Sequence, residues 1–444
     1  MRYEKYKQTG TKWITSIPVS WDMQKIGALF VQRKEKVSDK DFAPISVTKN
    51  GILPQLATAA KTDDGDNRKK VCVGDFVINS RSDRKGSCGV SDLEGSVSLI
   101  NIVLQPREQL SGKYAHYLLR NHLFSEEYYR NGRGIVADLW TTRYSEMKTI
   151  LLPVPPRAEQ DQIVRYLDWQ VSKINRIIAA KKKQIELLKD NLKSAIATLT
   201  VEGIERHEMC DSQIYWLDHY PAKWRVTKLK YILTKHRRAV QPNAELLICS
   251  NSGEVVVRGD TKLGLVASSD DIYQGVRAGD LLIHGMDTWH GAIAISDYDG
   301  MCTPVVHVCS CREEKRFVSY YLKMMAYTKV FKAISNGVRQ NTSDFRSWDK
   351  VGDLLICLPT IDEQIKIADK LDALTVETKR GIALFSNQIE QLTELRTRLI
   401  SDVVTGQIDV RAVEIPDFEY TPEADDSSVE ADEEESDDMA EEEV

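Results

Sequence analysis

Residues 151–160 read Leu151-Leu152-Pro153-Val154-Pro155-Pro156-Arg157-Ala158-Glu159-Gln160, and the chain repeats this segment further on as Leu355-Ile356-Cys357-Leu358-Pro359-Thr360-Ile361-Asp362-Glu363-Gln364. The two copies stay in register without a gap from Pro155 to Ile196 and over the matching residues 359–400. Fourteen of these 42 positions are identical, where average composition gives roughly two or three by chance. The chain is therefore an internal duplication.

Weaker matches lie upstream of each copy. Pro18-Val19-Ser20-Trp21 corresponds to Pro221-Ala222-Lys223-Trp224, and Gly74-Asp75-Phe76-Val77-Ile78 corresponds to Gly279-Asp280-Leu281-Leu282-Ile283. The first pair is separated by 203 residues and the second by 205, each one residue away from the 204 of the copies above. Loops between the matching strings have therefore changed in length. Each half thus consists of a variable module followed by a segment of fixed length.

The fixed segments have the pattern of long helices. Apolar residues recur at alternating steps of three and four, as in the a/d seam of a coiled coil. The first copy has Ile163, Leu167, Val171, Ile174, Ile178, Lys181, Ile185, Leu188, Leu192, Ala195 and Leu199, and the second has Ile367, Leu371, Thr375, Thr378, Ile382, Phe385, Ile389, Leu392, Arg396, Leu399 and Val403. We expect the two helices to pair as an antiparallel coiled coil within the chain. Homodimerisation through separate coiled coils is the alternative.

The variable modules mix short β-rich apolar runs with Gly-Asp and Asp-Gly turns, as in Asp75–Asn79 and Leu281–His284, which is typical of an α+β fold. The predicted architecture is two globular domains separated by two long helices, with a pseudo-twofold repeat. The predicted bounds are 1–154 and 204–358 for the two globular domains, 155–203 and 359–415 for the helical segments, and 416–444 for a disordered acidic tail.

The net charge of −6 conceals a basic body. Fifteen Asp and Glu and no Lys or Arg lie between Asp417 and Val444, so the remainder has 60 basic against 51 acidic residues. A basic body favours a polyanionic partner such as DNA. No run of 18 apolar residues is present, and residues 1–10 are polar and charged, without the apolar h-region of a signal peptide, which disfavours a membrane span or secretion. The eight cysteines then indicate reduced thiols and a cytoplasmic protein.

Several further strings are informative. They are the Pro-x-x-x-Glu-Gln entry to each helix, residues 74–91 (GDFVINSRSDRKGSCGVS), residues 279–292 (GDLLIHGMDTWHGA), residues 298–304 (YDGMCTP) and residues 404–409 (VTGQID). Together these strings resemble the specificity (S) subunit of type I restriction-modification systems. Their order and spacing carry the resemblance, which extends to about Arg411. The acidic tail departs from the usual pattern of this family.

The resemblance implies a non-catalytic subunit without cofactor or metal. Each globular module would be a target-recognition domain that reads one half of a bipartite, asymmetric DNA site. The helices would fix the spacing between the halves and dock modification (methyltransferase) subunits, two per chain, through the segments that start at Glu159-Gln160 and Glu363-Gln364. A restriction subunit can join such a complex.

Basic loops in the first module are candidates for contact with double-stranded DNA. Arg81, Arg84 and Lys85 follow a predicted strand in a Gly/Ser-rich loop, and Arg133, Thr141, Thr142 and Arg143 lie in a second Gly- and Thr-containing region. Arginine suits guanine edges, and both basic residue types suit phosphates. An ordinary solvated loop is the alternative for each.

Different side chains occupy the corresponding loops of the second module. His290 lies in the equivalent of the Arg81 loop, and Arg339-Gln340-Asn341 offers amide groups that suit adenine. Trp289 is interpreted as a packing residue rather than a base-stacking one. If both modules read DNA, they read different half-sites.

Other functional classes have weaker support. His284, His290, Cys302, His307, Cys309 and Cys311 lack the paired spacing of structural zinc sites. No Gly-x-x-x-x-Gly-Lys-Ser/Thr loop is present, and Pro155-Pro156 is not followed by an aromatic residue as in amino-methyltransferases. The remaining alternatives are a self-contained duplicated DNA-modifying enzyme and a stand-alone architectural DNA-binding protein.

Overall fold

The computed structural model describes residues 2–55, 65–133, 140–214, 216–259, 272–334 and 345–423. The chain divides into two compact units. Unit 1 contains residues 1–182 and 386–425, and unit 2 contains residues 183–385. Each unit therefore holds one globular module together with part of each of two long helices. The structure is a mixture of helix and strand, as predicted.

The first module consists of short strands and short helices. Its elements are β1 (Tyr6–Gln8), β2 (Ser16–Pro18), β3 (Asp22–Lys25), α1 (Ile26–Leu29), β4 (Phe30–Gln32), β5 (Lys36–Val37), β6 (Ile45–Thr48), β7 (Gly51–Pro54), β8 (Arg68–Val71), β9 (Phe76–Asn79), β10 (Cys88–Val90), β11 (Gly95–Val97), β12 (Asn101–Pro106), α2 (Gly112–Leu119), α3 (His122–Arg130), α4 (Tyr144–Met147) and β13 (Leu151–Val154).

The main sheet of this module is antiparallel, with the order β10-β9-β12-β4. The four residues of the interior strand β9 are all buried. Phe76 and Ile78 pack into the core that contains the helices, and Val77 packs on the other face against β-strand residues such as Val71 and Val97. Because both faces of β9 are covered, its first three residues form a continuous apolar run rather than an alternating pattern.

The long helix α5 (Arg157–Glu202) leads into the second module. The elements that follow are β14 (Met209–Asp211), β15 (His219–Pro221), β16 (Arg225–Lys228), α6 (Leu229–Ile232), β17 (Leu233–His236), β18 (Leu247–Cys249), β19 (Val255–Val257), β20 (Gln274–Val276), β21 (Leu281–His284), β22 (Ile293–Ile295), β23 (Gly300–Cys302), β24 (Val306–Cys311), α7 (Lys315–Tyr327), α8 (Val330–Ile334), α9 (Trp348–Gly352), β25 (Leu355–Leu358) and the long helix α10 (Ile361–Val404). The main sheet has the order β22-β21-β24-β17, the counterpart of that in the first module.

A buried ion pair supports the same strand in both modules. Asp75 accepts hydrogen bonds from the Arg33 guanidinium at 2.6 and 3.1 Å and from the backbone N–H of Cys72 at 2.9 Å. Arg238 and Asp280 repeat this pairing before β21. The preceding Gly74 and Gly279 each have φ +88°, a conformation that favours glycine. The repeated Gly-Asp dipeptide is therefore a structural device at the start of the interior strand.

Early residues of α5 pack with late residues of α10 in unit 1. Ile163 and Leu167 share a buried core with Val403, whereas further along α5 the Asn175 Oδ1 accepts a 2.8 Å hydrogen bond from Arg396. The two helices therefore run in opposite directions in this unit. In unit 2, Ile196 and Leu199 share a core with Ile367 and Leu371, at the other ends of the same helices.

The chain after α10 lies along α5 in unit 1. Gly406, with φ +75°, ends the helix. The Gln162 side chain then donates to the carbonyls of Val410 and Val413 at 3.1 and 2.8 Å, and residues further on contact Ser172 and Asn175. We call residues 410–423 the C-terminal strap. Residues 416–423 of the predicted disordered tail belong to this strap and are described, whereas residues 424–444 lie outside the described part of the chain.

Candidate nucleic-acid interface

Three segments of unit 1 meet where the interior strand β9 ends. The Ser80 carbonyl accepts the Thr142 N–H at 3.0 Å, and Arg81 forms an antiparallel bridge with Thr141. Thr141 also pairs with Arg133 through two 3.0 Å backbone hydrogen bonds. Backbone pairing therefore brings together loops that the sequence separates by about fifty residues.

Exposed basic side chains surround this junction. Arg81, Arg84, Lys85, Arg133 and Arg143 are all exposed. Lys85 pairs with Glu126 and holds the pKa of that carboxyl below its usual range. Within the described residues, the four arginine side chains form no ion pair with a carboxylate. We call these four the arginine cluster, and it presents planar donors that suit guanine edges or phosphates.

Thr142 does not belong to the exposed surface. Its side chain is fully buried, and its hydroxyl donates to the Tyr128 carbonyl at 3.0 Å. The Tyr128 hydroxyl donates in turn to the Thr142 carbonyl at 3.1 Å. The prediction that Thr142 contacts DNA is therefore wrong, because its side chain fixes the loop to α3. Thr141 is half-buried and supplies the backbone bridge between Arg81 and Arg133.

The second module has the same loop junction with other side chains. Gly285 takes the place of Ser80, because its carbonyl accepts the Phe345 N–H at 3.0 Å and its own N–H donates to Val305. His290 is exposed on the short helical turn that follows β21. Trp289 packs against the apolar core, with the Lys332 ammonium 5.7 Å from its ring centroid, in agreement with a packing role. The predicted contacts Arg339, Gln340 and Asn341 lie outside the described residues.

Arg346 is a candidate that the sequence reasoning missed. It is exposed and follows Phe345, as Arg143 follows Thr142 in the first module. A signal was present in the repeat, because Arg143 and Arg346 are separated by 203 residues, the same spacing as the Trp21 and Trp224 pair. Both modules therefore place an arginine at the equivalent position beside the strand end.

We expect Arg346→Ala to weaken recognition of one half-site only. Loss of a bidentate contact to guanine costs about 1–3 kcal/mol of discrimination, which is about fivefold to 150-fold in affinity. Selection from a randomised DNA library should then show relaxed preference in the half-site of unit 2. Arg312→Ala is the matched control, since Arg312 is exposed beyond the opposite end of β24. Equal relaxation in both half-sites would contradict a specific role.

The Glu-Gln pair at the start of each long helix is turned into the protein. Glu159 accepts hydrogen bonds from the Tyr3 hydroxyl at 2.6 Å and the Trp21 indole at 2.9 Å. Gln160 is fully buried, accepts the Ser111 N–H at 2.8 Å and donates to the carbonyls of Gln109 and Pro155. These side chains hold the helix to its module, so contacts that dock a partner on this helical segment would come from other residues of it.

The second copy of the motif behaves in the same way. Gln364 is fully buried, accepts the Glu314 N–H at 3.1 Å and donates to the Pro359 carbonyl at 3.0 Å. Glu363 lies 2.9 Å from the His207 Nε2. The motif is repeated because both modules need the same connection to a helix.

The cysteines and histidines do not form a reactive centre among the described residues. Burial raises the pKa of Cys302 and Cys309 to about 12 and that of Cys311 to about 11. These thiols are protonated and weakly nucleophilic near neutral pH. His307 is buried, and its Nε2 lies 2.7 Å from the Phe345 carbonyl. In the described ranges, no three His, Cys, Asp or Glu side chains are grouped as metal ligands.

Comparison with known proteins agrees with the motif resemblance. A putative type I restriction enzyme specificity subunit (MjaX) of Methanocaldococcus jannaschii is 23% identical over 408 residues, which cover 86% of this chain and 87% of the relative. No family model matches the chain.

Among the helices that the structure describes, none combines the length and the apolar character needed to span a membrane.

A solved structure from a type I system has a similar fold. A chain from a study of complex assembly and conformational transition in a type I restriction-modification system superimposes with a TM-score of 0.63 at 14% identity, over 88% of this chain and 99% of that one. The HsdS subunit of Thermoanaerobacter tengcongensis gives a TM-score of 0.46 at 14% identity, over 90% and 100% of the two chains. The resemblance to type I specificity subunits is thus confirmed by sequence relative and fold.

Proposed function

We propose that this chain is the sequence-specific DNA-binding subunit of a type I restriction-modification complex. One observation carries the proposal most directly: the same loop junction occurs at the end of the interior strand in both modules, with different exposed side chains on it. A repeated scaffold with different contact residues suits a protein that reads two unlike half-sites of one asymmetric sequence. The candidates are the arginine cluster in unit 1, with His290 and Arg346 in unit 2.

The modules and the helices would have different roles. Residues 1–154 and 204–358 are proposed as the two target-recognition domains, and the helical segments 155–203 and 359–415 as the spacer between them. The opposite directions of α5 and α10 within unit 1 support an antiparallel coiled coil. In this proposal the chain is non-catalytic and cytoplasmic, and two modification subunits dock on its helices, with a restriction subunit able to join them.

Reconstitution tests the function. The chain should associate with the modification subunit produced from the same host, and the pair should methylate adenine at one bipartite sequence, which single-molecule sequencing of the methylated DNA would identify. Failure to associate and to methylate with sequence preference would contradict the proposal. Turnover by the isolated chain with a methyl donor or a divalent cation would favour a self-contained enzyme, and DNA binding without preference for a bipartite site would favour an architectural protein.

The spacer role predicts the effect of matched insertions. Seven residues inserted after Lys182 and seven after Phe385, where the two units divide, add two helical turns to each helix, or about 10 Å. We expect the gap between the half-sites to grow by roughly three base pairs. A heptad in one helix alone should abolish specific methylation, because the helices then pair out of register. An unchanged gap after matched insertions would contradict the spacer role.

A further inference from the structure

The two long helices carry equivalent faces that differ in burial. The α5 face consists of Gln162, Tyr166, Trp169, Ser172 and Asn175, and the α10 face consists of the corresponding Lys366, Lys370, Ala373, Val376 and Lys379. No residue of the α5 face is exposed, whereas all five residues of the α10 face are exposed. For example, Ser172 is 1% exposed and the corresponding Val376 is 49% exposed.

The C-terminal strap causes this difference. Ser172 Oγ accepts the Thr421 N–H at 3.0 Å, and Asn175 donates to the Thr421 carbonyl at the same distance. Gln162 and Arg176 donate to further strap carbonyls. The α5 face thus has a set of polar side chains that bind extended backbone. The α10 face has no equal set, since Val376 has no polar group and Lys379 pairs with Glu254.

The distal half of the strap, residues 417–423, buries little apolar surface. A cavity of about 310 Å³ lies between the strap at 417–419 and Trp169, Ser172, Lys173 and Arg176. The apolar strap residues Phe418 and Tyr420 remain 37% and 60% exposed. The distal strap is held by backbone hydrogen bonds and by the ion pair of Glu423 with Arg396, and because it buries little apolar surface it opens at a lower cost than a packed segment.

The surface beneath the strap has the composition of a protein interface. Tyr166 and Trp169 are in edge-to-face contact at 6.1 Å between ring centroids, and aromatic residues are enriched where proteins bind one another. We propose that the strap makes the two helix faces unequal for the modification subunit: the α10 face is open to it, and the α5 face becomes available only when residues 417–423 lift off. This rests on the proposed function, which supplies the partner.

Two shortened chains test the proposal. The chain ending at Pro416 lacks the distal strap, and the chain ending at Glu423 keeps it while lacking only the acidic residues 424–444. Titration with the modification subunit, followed by native mass spectrometry and calorimetry, gives the two successive dissociation constants. For the 1–423 chain we expect the second to be at least about tenfold weaker than the first, since a site available for a tenth of the time loses tenfold in apparent affinity. For the 1–416 chain we expect them to agree within about threefold.

Hydrogen exchange provides a second measurement on the same samples. In the 1–423 chain, residues 417–423 should lose protection with the second equivalent of modification subunit and not with the first. Equal dissociation constants for the 1–423 chain, or a difference that persists in the 1–416 chain, would overturn the proposal about the strap. No binding by any form would instead overturn the proposed function, and the strap proposal with it.

Discussion

The double variant Arg81→Ala/Arg143→Ala should lose about hundredfold in affinity for the cognate DNA site. Each arginine that contacts a base is worth about 1–3 kcal/mol of discrimination, and 1.4 kcal/mol is tenfold in affinity. The loss should be confined to the half-site that unit 1 reads, so that the other half-site keeps its sequence preference. Binding to a library with each half randomised in turn measures the two preferences separately.

The structure explains why these two arginines should act together. Arg81 bridges to Thr141, and Arg143 lies two residues further along the same segment. Both side chains are exposed and lie where β9 ends. Their backbone is fixed by the buried Thr142 and by the Ser80 carbonyl, so that little backbone conformational entropy remains to be lost on binding.

Arg107→Ala is the matched control for this double variant. Arg107 is exposed in the same module beyond Pro106, at the end of β12 opposite to Asn101, which pairs with Asn79 beside the junction. Its removal should leave both half-site preferences unchanged. Equal loss at both half-sites in the double variant would mean that the arginines contribute only non-specific attraction to phosphates, and in that case the salt dependence of binding should fall as well.

The repeat allowed much of the fold to be predicted from the sequence. The Gly-Asp dipeptides precede the interior strands β9 and β21 because each buried aspartate accepts hydrogen bonds from an arginine and each glycine has a positive φ. Both long helices follow the Pro-x-x-x-Glu-Gln entries. These features depend on neighbours in sequence or on a contact that occurs in both modules. Comparing the two halves of the one sequence is therefore enough to detect them.

The candidate site was predicted less completely because it is assembled by tertiary pairing. No local pattern shows that Thr142 is turned inward against α3 while Arg143 is exposed, since this depends on the hydrogen bonds to Tyr128. The strap shows the same limit. Its acidic composition predicts disorder, yet side chains of α5 hold the backbone of residues 417–423. Composition cannot predict such contacts, because they depend on the backbone of the strap and not on its side chains.

The variant Gln160→Ala should destabilise unit 1 by about 2–4 kcal/mol. It leaves the buried Ser111 N–H without its acceptor and removes the donor to the carbonyls of Gln109 and Pro155, and each unsatisfied buried group costs about 1–3 kcal/mol. In a unit of this size the melting temperature should fall by about 5–15 °C. Thermal unfolding, with hydrogen exchange to assign the loss to unit 1, measures the effect. Gln364→Ala should produce the same loss in unit 2, where it leaves the Glu314 N–H unpaired.

The exposed Arg165→Ala on the same helix is the control for Gln160→Ala, and it should change stability by less than about 0.5 kcal/mol. The comparison decides between the two interpretations of the Glu-Gln motif. A motif that holds the helix to its module must lose stability when Gln160 is shortened, and the folded fraction should still bind the modification subunit with unchanged affinity. Unchanged stability with weakened binding of that subunit would restore the motif as a docking surface, against the burial of its glutamine in both copies.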